Sequence, residues 1–289
     1  MPLFLYLYFV ERKGKIGVFD SGFGGLTILR DIVQLFPMYE YVYLGDNARA
    51  PYGNKSFDLI YEYTLEGVKY LFEQGCELVI LACNTASAKA LRTIQQRDLP
   101  HLAPNKRVLG VIRPSTEEIG SLSRTGVVGI LGTEGTVNSN SYVIELAKSS
   151  PNTKVYQQAC PLWVPLIEEQ QYHSPAGELI IASDLKRLFD QNTRIDVIVL
   201  ACTHYPILKP LIDSLVPSGV TVLSQGPLVA EKLKDCLETN SFKVADVGKT
   251  YFADHATAAG IYPSSAIDHI YYTESCDMKN MRALPNSNT

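Results

Sequence analysis

The six cysteines, at positions 76, 83, 160, 202, 236 and 276, form no CxxC pair, so the chain carries neither the spacing of a zinc ribbon nor that of a thioredoxin-type redox motif. No GxGxxG turn occurs, and no Gly-Lys-Ser/Thr follows the glycine-rich stretch Gly22–Gly25. Both nucleotide-binding fingerprints are therefore missing. There is no basic stripe either: 26 Lys and Arg residues are scattered along a chain of net charge −4, which argues against a nucleic-acid partner. Nor is any apolar run long enough to span a bilayer. The apolar start, residues 1–10, is too short, and its charges (Glu11, Arg12, Lys13, Lys15) follow rather than precede it, opposite to a signal peptide. Residues 1–13 are read as an extra leader or edge strand. Without an export signal, a 289-residue chain that is 46% hydrophobic can bury a full core without disulfide staples. It is expected in the cytoplasm, with its cysteines as thiols.

What is present is one phrase written twice. Leu78-Val79-Ile80-Leu81-Ala82-Cys83-Asn84-Thr85 returns as Val197-Ile198-Val199-Leu200-Ala201-Cys202-Thr203-His204, the two cysteines 119 positions apart (83 to 202). Each is a run of aliphatic residues without alternation, the pattern of a strand buried on both faces of a parallel sheet. Each cysteine falls at the strand's carboxyl end, the edge where open α/β sheets bind ligands.

Other landmarks recur in the same order. The strand Lys15-Ile16-Gly17-Val18-Phe19 enters the turn Asp20-Ser21-Gly22-Phe23-Gly24-Gly25, and a strand at 126–131 enters Gly132-Thr133-Glu134-Gly135-Thr136, a shift of 113 (20 to 133). Strands at 41–44 and 155–158 precede loops containing Pro51-Tyr52-Gly53 and Cys160-Pro161-Leu162-Trp163. Such order at one spacing indicates duplication. The fold expected is α/β: two similar doubly wound domains related by a pseudo-twofold duplication, with the active site in the cleft between them. The first lobe is drawn as 14–107 plus 222–289 and the second as 108–221. Helices are expected near 56–74, 86–96 (ending before Pro100), 178–190 and 208–215, with residues 100–105 crossing between halves.

A thiol at a strand end beside a helix N-terminus can have its pKa lowered, giving a usable thiolate. Two thiols facing one carbon from opposite sides can invert it, one taking a proton while the other returns one. This demands no cofactor and no metal if the surroundings stabilise the developing charge. Asp20 is placed to act on Cys83, and Glu168 or His204 on Cys202. Three alternatives stay open: a racemase for another acidic amino acid, a non-catalytic lobe pair closing on a small anion, and a metal site of Cys83, Cys202 and His204.

The set Gly17-Val18-Phe19-Asp20-Ser21-Gly22-Phe23-Gly24-Gly25-Leu26, Tyr43-Leu44-Gly45-Asp46, Pro51-Tyr52-Gly53, Ala82-Cys83-Asn84-Thr85-Ala86-Ser87-Ala88, Cys160-Pro161-Leu162-Trp163-Val164-Pro165-Leu166-Ile167-Glu168 and Cys202-Thr203-His204-Tyr205-Pro206 resembles the aspartate/glutamate racemase family, running in order from about residue 15 to Thr273. The resemblance implies a cofactor-independent enzyme of the bacterial cytoplasm that interconverts L- and D-glutamate for peptidoglycan. It places the acid/base thiols at Cys83 and Cys202, assisted by Asp20, Glu168 and His204. Substrate contacts are implied at Asp20, Ser21, Tyr52, Gly53, Asn84, Thr85, Thr203 and His204. A small-molecule substrate is the expected partner, with no nucleic acid and no membrane, and the assembly expected is a homodimer. Four positions depart from the family's pattern: Trp163 where Phe is usual, Ala201 where Gly is usual, and Ser224-Gln225 where Asp-Ser is common.

Overall fold

The structure, a computed structural model, describes residues 14–239 and the strands 269–273 and 281–283. The leader at 1–13 lies outside the described residues. Buried strands alternate their side chains between two helix layers, as the period of two requires. In β1 (Lys15–Asp20), Ile16 and Val18 feed one core with Leu29 and Ile32, while Phe19 points to the opposite core with Ile60, Val68 and Leu71. β2 (Glu40–Gly45), β3 (Leu78–Leu81) and β4 (Arg107–Gly110) complete the central part of this sheet. The second sheet has the same construction from β5 (Val127–Gly132), β6 (Lys154–Ala159), β7 (Val197–Ala201) and β8 (Thr221–Leu223).

Strand order exposes the duplication. The first sheet reads β2-β1-β3-β4 and the second β6-β5-β7-β8, all parallel. The first strand of each half is central, the second lies to one side, and the third and fourth to the other. β9 (His269–Thr273) adds to β2 in parallel and β10 (Met281–Ala283) to β9 in antiparallel, so the chain ends on the first sheet.

Three expectations change. The boundary drawn after residue 107 falls inside β4, which pairs with β3, and the boundary before residue 222 falls inside β8, which pairs with β7. Each half thus keeps a fourth edge strand before the chain crosses over. The crossings run through the helix Ile112–Leu122 and into the helix Gln225–Thr239, whose Val229, Ala230 and Leu233 join the first lobe's core. Residues 100–105 accordingly stay within the first lobe. The helical run after Cys83 does not stop before Pro100. It passes through a π turn, Ile94–Asp98, into a last turn, Leu99–Leu102, where Pro100 sits in the first positions and needs no N–H partner. The helix Phe57–Glu73 starts as read, its Ser56 hydroxyl accepting from the Leu59 N–H at 3.3 Å, with Leu59 exposed and Ile60 in the core.

Candidate active site

The end of β1 meets the turn that follows β7 across the two lobes. Asp20, fully buried at the end of β1, accepts from the Gly22 N–H at 3.1 Å and from Thr203 Oγ1, of the second lobe, at 3.3 Å. Thr27 Oγ1 reaches the Thr203 carbonyl at 2.9 Å. A methyl group on Gly24 would stand 2.5 Å from both His204 Nδ1 and Thr203 Oγ1, so the lobes approach this closely because position 24 has no side chain.

The matching turn of the second lobe makes the reciprocal contact. Thr133, the repeat partner of Asp20, lies 2.9 Å from Thr85 Oγ1, and the Gly135 N–H donates to the Gly53 carbonyl at 2.8 Å. Each lobe's first turn therefore rests on the other lobe's cysteine phrase.

Cys83 caps the helix Asn84–Lys89. Its sulfur accepts from the Ala86 N–H at 3.5 Å and reaches Ser21 Oγ at 3.6 Å. Only 5% of the residue is exposed. Burial pushes this thiol up to about 12, the Asp20 charge adds to the shift, and the contacts from Ala86 and Ser21 oppose it without prevailing. The sequence-based expectation of a lowered pKa is thus reversed at Cys83: desolvation outweighs the N-terminus of a six-residue helix. Asp20 also moves up, to about 6, because burial outweighs the His204 charge and the hydrogen bonds from Gly25, Gly22 and Thr203.

The Cys202 side is different. Cys202 is 7% exposed at the end of β7 and hydrogen-bonds His204, whose Nε2 lies 3.3 Å from Glu168 Oε1. Burial pulls the imidazolium down, yet the hydrogen bonds to Cys202 and Glu168 and the charges of Cys202 and Asp20 carry it up to about 10. His204 therefore stands as a cation at neutral pH, backed by a carboxylate whose side chain is 53% exposed. The charges of the two cysteines act on one another, which places both sulfurs in one electrostatic neighbourhood. No disulfide engages Cys76, Cys83, Cys160 or Cys202.

Two of the residues singled out in the sequence turn their side chains to other partners. The Tyr52 hydroxyl donates to Asp46, which also accepts from Arg49 Nε at 2.7 Å, leaving the Tyr52-Gly53 backbone toward the lobe contact. Asn84 donates through Nδ2 to Gln225 at 2.6 Å and accepts at Oδ1 from the Tyr142 hydroxyl at 2.7 Å. Thr133 and Thr136 were legible from the repeated turn but not singled out; Tyr142 carried no local signal, and Gln225 stood out only as a departure from the family's pattern. Trp163 lies behind Cys202, its ring centroid 4.8 Å from that of Tyr205 and its Nε1 donating to the buried Asp184 at 2.9 Å.

Two sizeable cavities lie elsewhere. One of about 640 Å³ is lined by Gln95, Leu99, Pro104 and the edge strand β4, and one of about 620 Å³ by Ser87, Arg92, Arg113, Ile144 and Lys232. Neither is lined by Cys83 or Cys202. Among the described residues, no cluster of three or more His, Cys, Asp or Glu side chains is placed to hold a metal ion, and no helix is long and apolar enough to cross a membrane.

Two parallel-sheet α/β domains that meet at matching cysteine-bearing strand ends define an amino-acid racemase, an isomerase. The chain belongs to the Asp/Glu/hydantoin racemase family, which it matches over residues 16–233. It is 41% identical to the glutamate racemase of Koribacter versatilis over 224 residues, 77% of this chain and 74% of that protein. Its fold is similar to a glutamate racemase isoform from Bacillus anthracis, with a TM-score of 0.80 at 28% identity, covering 92% of this chain and 98% of that one. It is also similar to the Francisella tularensis glutamate racemase solved in complex with D-glutamate, with a TM-score of 0.72 at 33% identity, covering 82% and 85%.

Proposed function

We propose that this chain interconverts L- and D-glutamate without a cofactor, using Cys83 and Cys202 as a pair of acid/base groups on opposite faces of Cα. The observation that carries this reading is the placement of both cysteines at equivalent strand ends, each next to a distinct ionisable partner: Asp20 for Cys83, and the His204-Glu168 pair for Cys202.

In one turnover, a thiolate on one face takes the Cα proton. The S–H bond forms as the C–H bond breaks, and the electron pair passes into the substrate carboxylate as an enediolate. The thiol on the other face then gives its proton to Cα, so the stereocentre is inverted and one thiol and one thiolate remain, exchanged in place. Burial raises Cys83 to about 12, so it rests protonated; it gives its proton in one direction and, having done so, takes the Cα proton in the other. The enediolate charge is met by main-chain N–H groups at Ser21, Gly53, Asn84 and Thr85 and by the Thr85 and Thr203 hydroxyls, which exchange their present contacts for the ligand. Asp20, unprotonated above about pH 6, faces the substrate ammonium.

The glutamate assignment rests on the named relatives. With it go a cytoplasmic location, a role in supplying D-glutamate to peptidoglycan, and a homodimeric assembly measurable by light scattering. Cys83→Ser and Cys202→Ser test the reading. Each is expected to lose racemisation by on the order of 10³-fold, since a serine hydroxyl is a far weaker acid, while still binding glutamate by calorimetry. Full activity in either variant overturns it.

A further inference from the structure

Three buried side chains from three separate segments close a ring of hydrogen bonds that includes Asn84, next to Cys83 in the chain, and Tyr142, on which the Cys202 charge acts. Gln225, 1% exposed, is the first residue of the helix Gln225–Thr239, at the point where the chain leaves β8 to return to the first lobe. Its Oε1 accepts from Asn84 Nδ2 at 2.6 Å, and its Nε2 donates to the Tyr142 hydroxyl at 2.8 Å. The Tyr142 hydroxyl in turn donates to Asn84 Oδ1 at 2.7 Å. Gln225 Nε2 also reaches Ser115 Oγ at 2.9 Å and the Val111 carbonyl at 3.2 Å, on the other interlobe crossing. The Ser115 hydroxyl donates to that same carbonyl at 2.8 Å.

Every hydrogen-bonding group of the two amides is thereby engaged, and the donors and acceptors run in one consistent direction around the ring. A buried network in which each amide oxygen and nitrogen has a partner fixes geometry, and removal of one member leaves the others unpaired. Its members are not distributed at random. Asn84 directly follows Cys83, Tyr142 belongs to the second lobe, and Gln225 and Val111 lie on the two segments that cross between lobes. The ring thus ties the backbone that carries one thiol to both crossings at once.

We propose that Gln225 is a positioning residue, which through Asn84 sets where Cys83 stands relative to the opposing lobe, so that movement of the lobes and placement of this thiol are coupled. The inference rests on the two-thiol reading. It assigns to the Asn84 side-chain amide a role in holding the strand end, leaving the Asn84 main-chain N–H to face substrate, and it makes the effect of Gln225 one-sided, felt at Cys83 before Cys202.

The test compares Gln225→Met, which keeps length and removes the polar atoms, with Tyr142→Phe, which removes one hydroxyl and carries the test if the first variant does not fold. Glutamate deuterated at Cα is used as each enantiomer in turn, and kcat, KM and the primary isotope effect are measured separately, with thermal unfolding alongside. A misplaced thiol should lower kcat by about 10-fold to 100-fold with KM changed less than about 3-fold. The isotope effect should rise for one enantiomer only, the same one whose isotope effect or residual activity is most altered by Cys83→Ser. A purely structural role lowers the folded fraction and leaves both isotope effects where they were. Unchanged isotope effects, or an equal rise in both directions, overturn the proposal. Full activity of Cys83→Ser instead sinks the two-thiol reading itself, whatever the Gln225 variants show.

Discussion

Thr203 of the second lobe donates its hydroxyl proton to Asp20 of the first at 3.3 Å, and 2.9 Å separates the hydroxyls of Thr85 and Thr133, of which Thr133 is the repeat partner of Asp20 and Thr85 that of His204. The two halves of the chain thus meet through swapped contacts, each first-turn side chain reaching the partner lobe's cysteine phrase. Their chemistry is no longer equivalent: an acid at position 20 is matched by a hydroxyl at position 133, and Asn84-Thr85 by Thr203-His204. One symmetric framework therefore surrounds its two thiols with different partners.

The first prediction concerns Asp20 and pH. Its pKa in the folded state is raised from 3.8 to about 6, so the folded protein holds this proton more tightly than the unfolded chain does. The associated stability is present in full below about pH 3.8 and is lost as the pH rises through 6, a cost at neutral pH of about 3 kcal/mol. Asp20→Asn should unfold no more easily than the parent at pH 8 in urea, while its kcat/KM falls by on the order of 10²-fold. The parent's kcat/KM should drop below about pH 6, and that limb should vanish in the variant. Loss of stability with retained activity would contradict this.

His204 gives a prediction at the other end of the pH scale. A folded-state pKa raised from 6.5 to about 10 contributes stability that is complete below about pH 6.5 and disappears as pH climbs through 10. His204→Gln should flatten that dependence and reduce kcat by on the order of 10²-fold. Glu168→Gln, removing one of the interactions that hold the proton on His204, should move the basic limb of the rate profile to lower pH. A basic limb unmoved by this change would show that Glu168 does not act through His204.

Trp163 should matter for stability more than for chemistry. Its indole N–H is the donor at 2.9 Å to Asp184, a buried carboxylate otherwise met by Arg187 at 3.4 Å. Trp163→Phe strands that carboxylate and should cost about 1–3 kcal/mol in denaturant unfolding. A variant as stable as the parent would mean the indole bond contributes nothing net.

Gly24 is a steric prediction. Gly24→Ala puts a methyl group 2.5 Å from His204 and Thr203, so the lobes must part. Activity should fall by about 10-fold or more with the two lobe cores unaffected, seen as an unchanged urea midpoint. An alanine variant with parental kcat and KM would show that the lobes need not close this tightly.

The strands and the cysteine phrases were legible because nothing competes with them: an uninterrupted aliphatic run at Leu78–Leu81 or Val197–Ala201 fits only a strand covered on both faces. Asp20, Ser21, Cys83, Thr203 and His204 were legible as a set, since each stands at a strand end or in the turn that follows it, whereas Glu168 ends the short helix Trp163–Glu168. What sequence could not supply depends on three-dimensional context. The Cys83 shift reversed because burial, invisible in the letters, exceeded the helix-terminal effect that the letters suggest. Pro100 looked like a helix stop, but the preceding π turn places it where a proline is tolerated. β4 and β8 were assigned across lobe boundaries because an edge strand's partner is a matter of topology. Tyr142 and Gln225 lie 58 and 141 positions from Asn84, and no local pattern joins them.

Solvent deuterium reports on the two thiols most directly. D-glutamate incubated with the enzyme in D2O, followed by proton NMR at Cα, should yield L-glutamate carrying deuterium from its first formation, because the returning proton comes from a thiol that has exchanged with solvent. L-glutamate that keeps the original hydrogen at Cα would mean a single group shuttles the proton between faces, contradicting the paired action of Cys83 and Cys202.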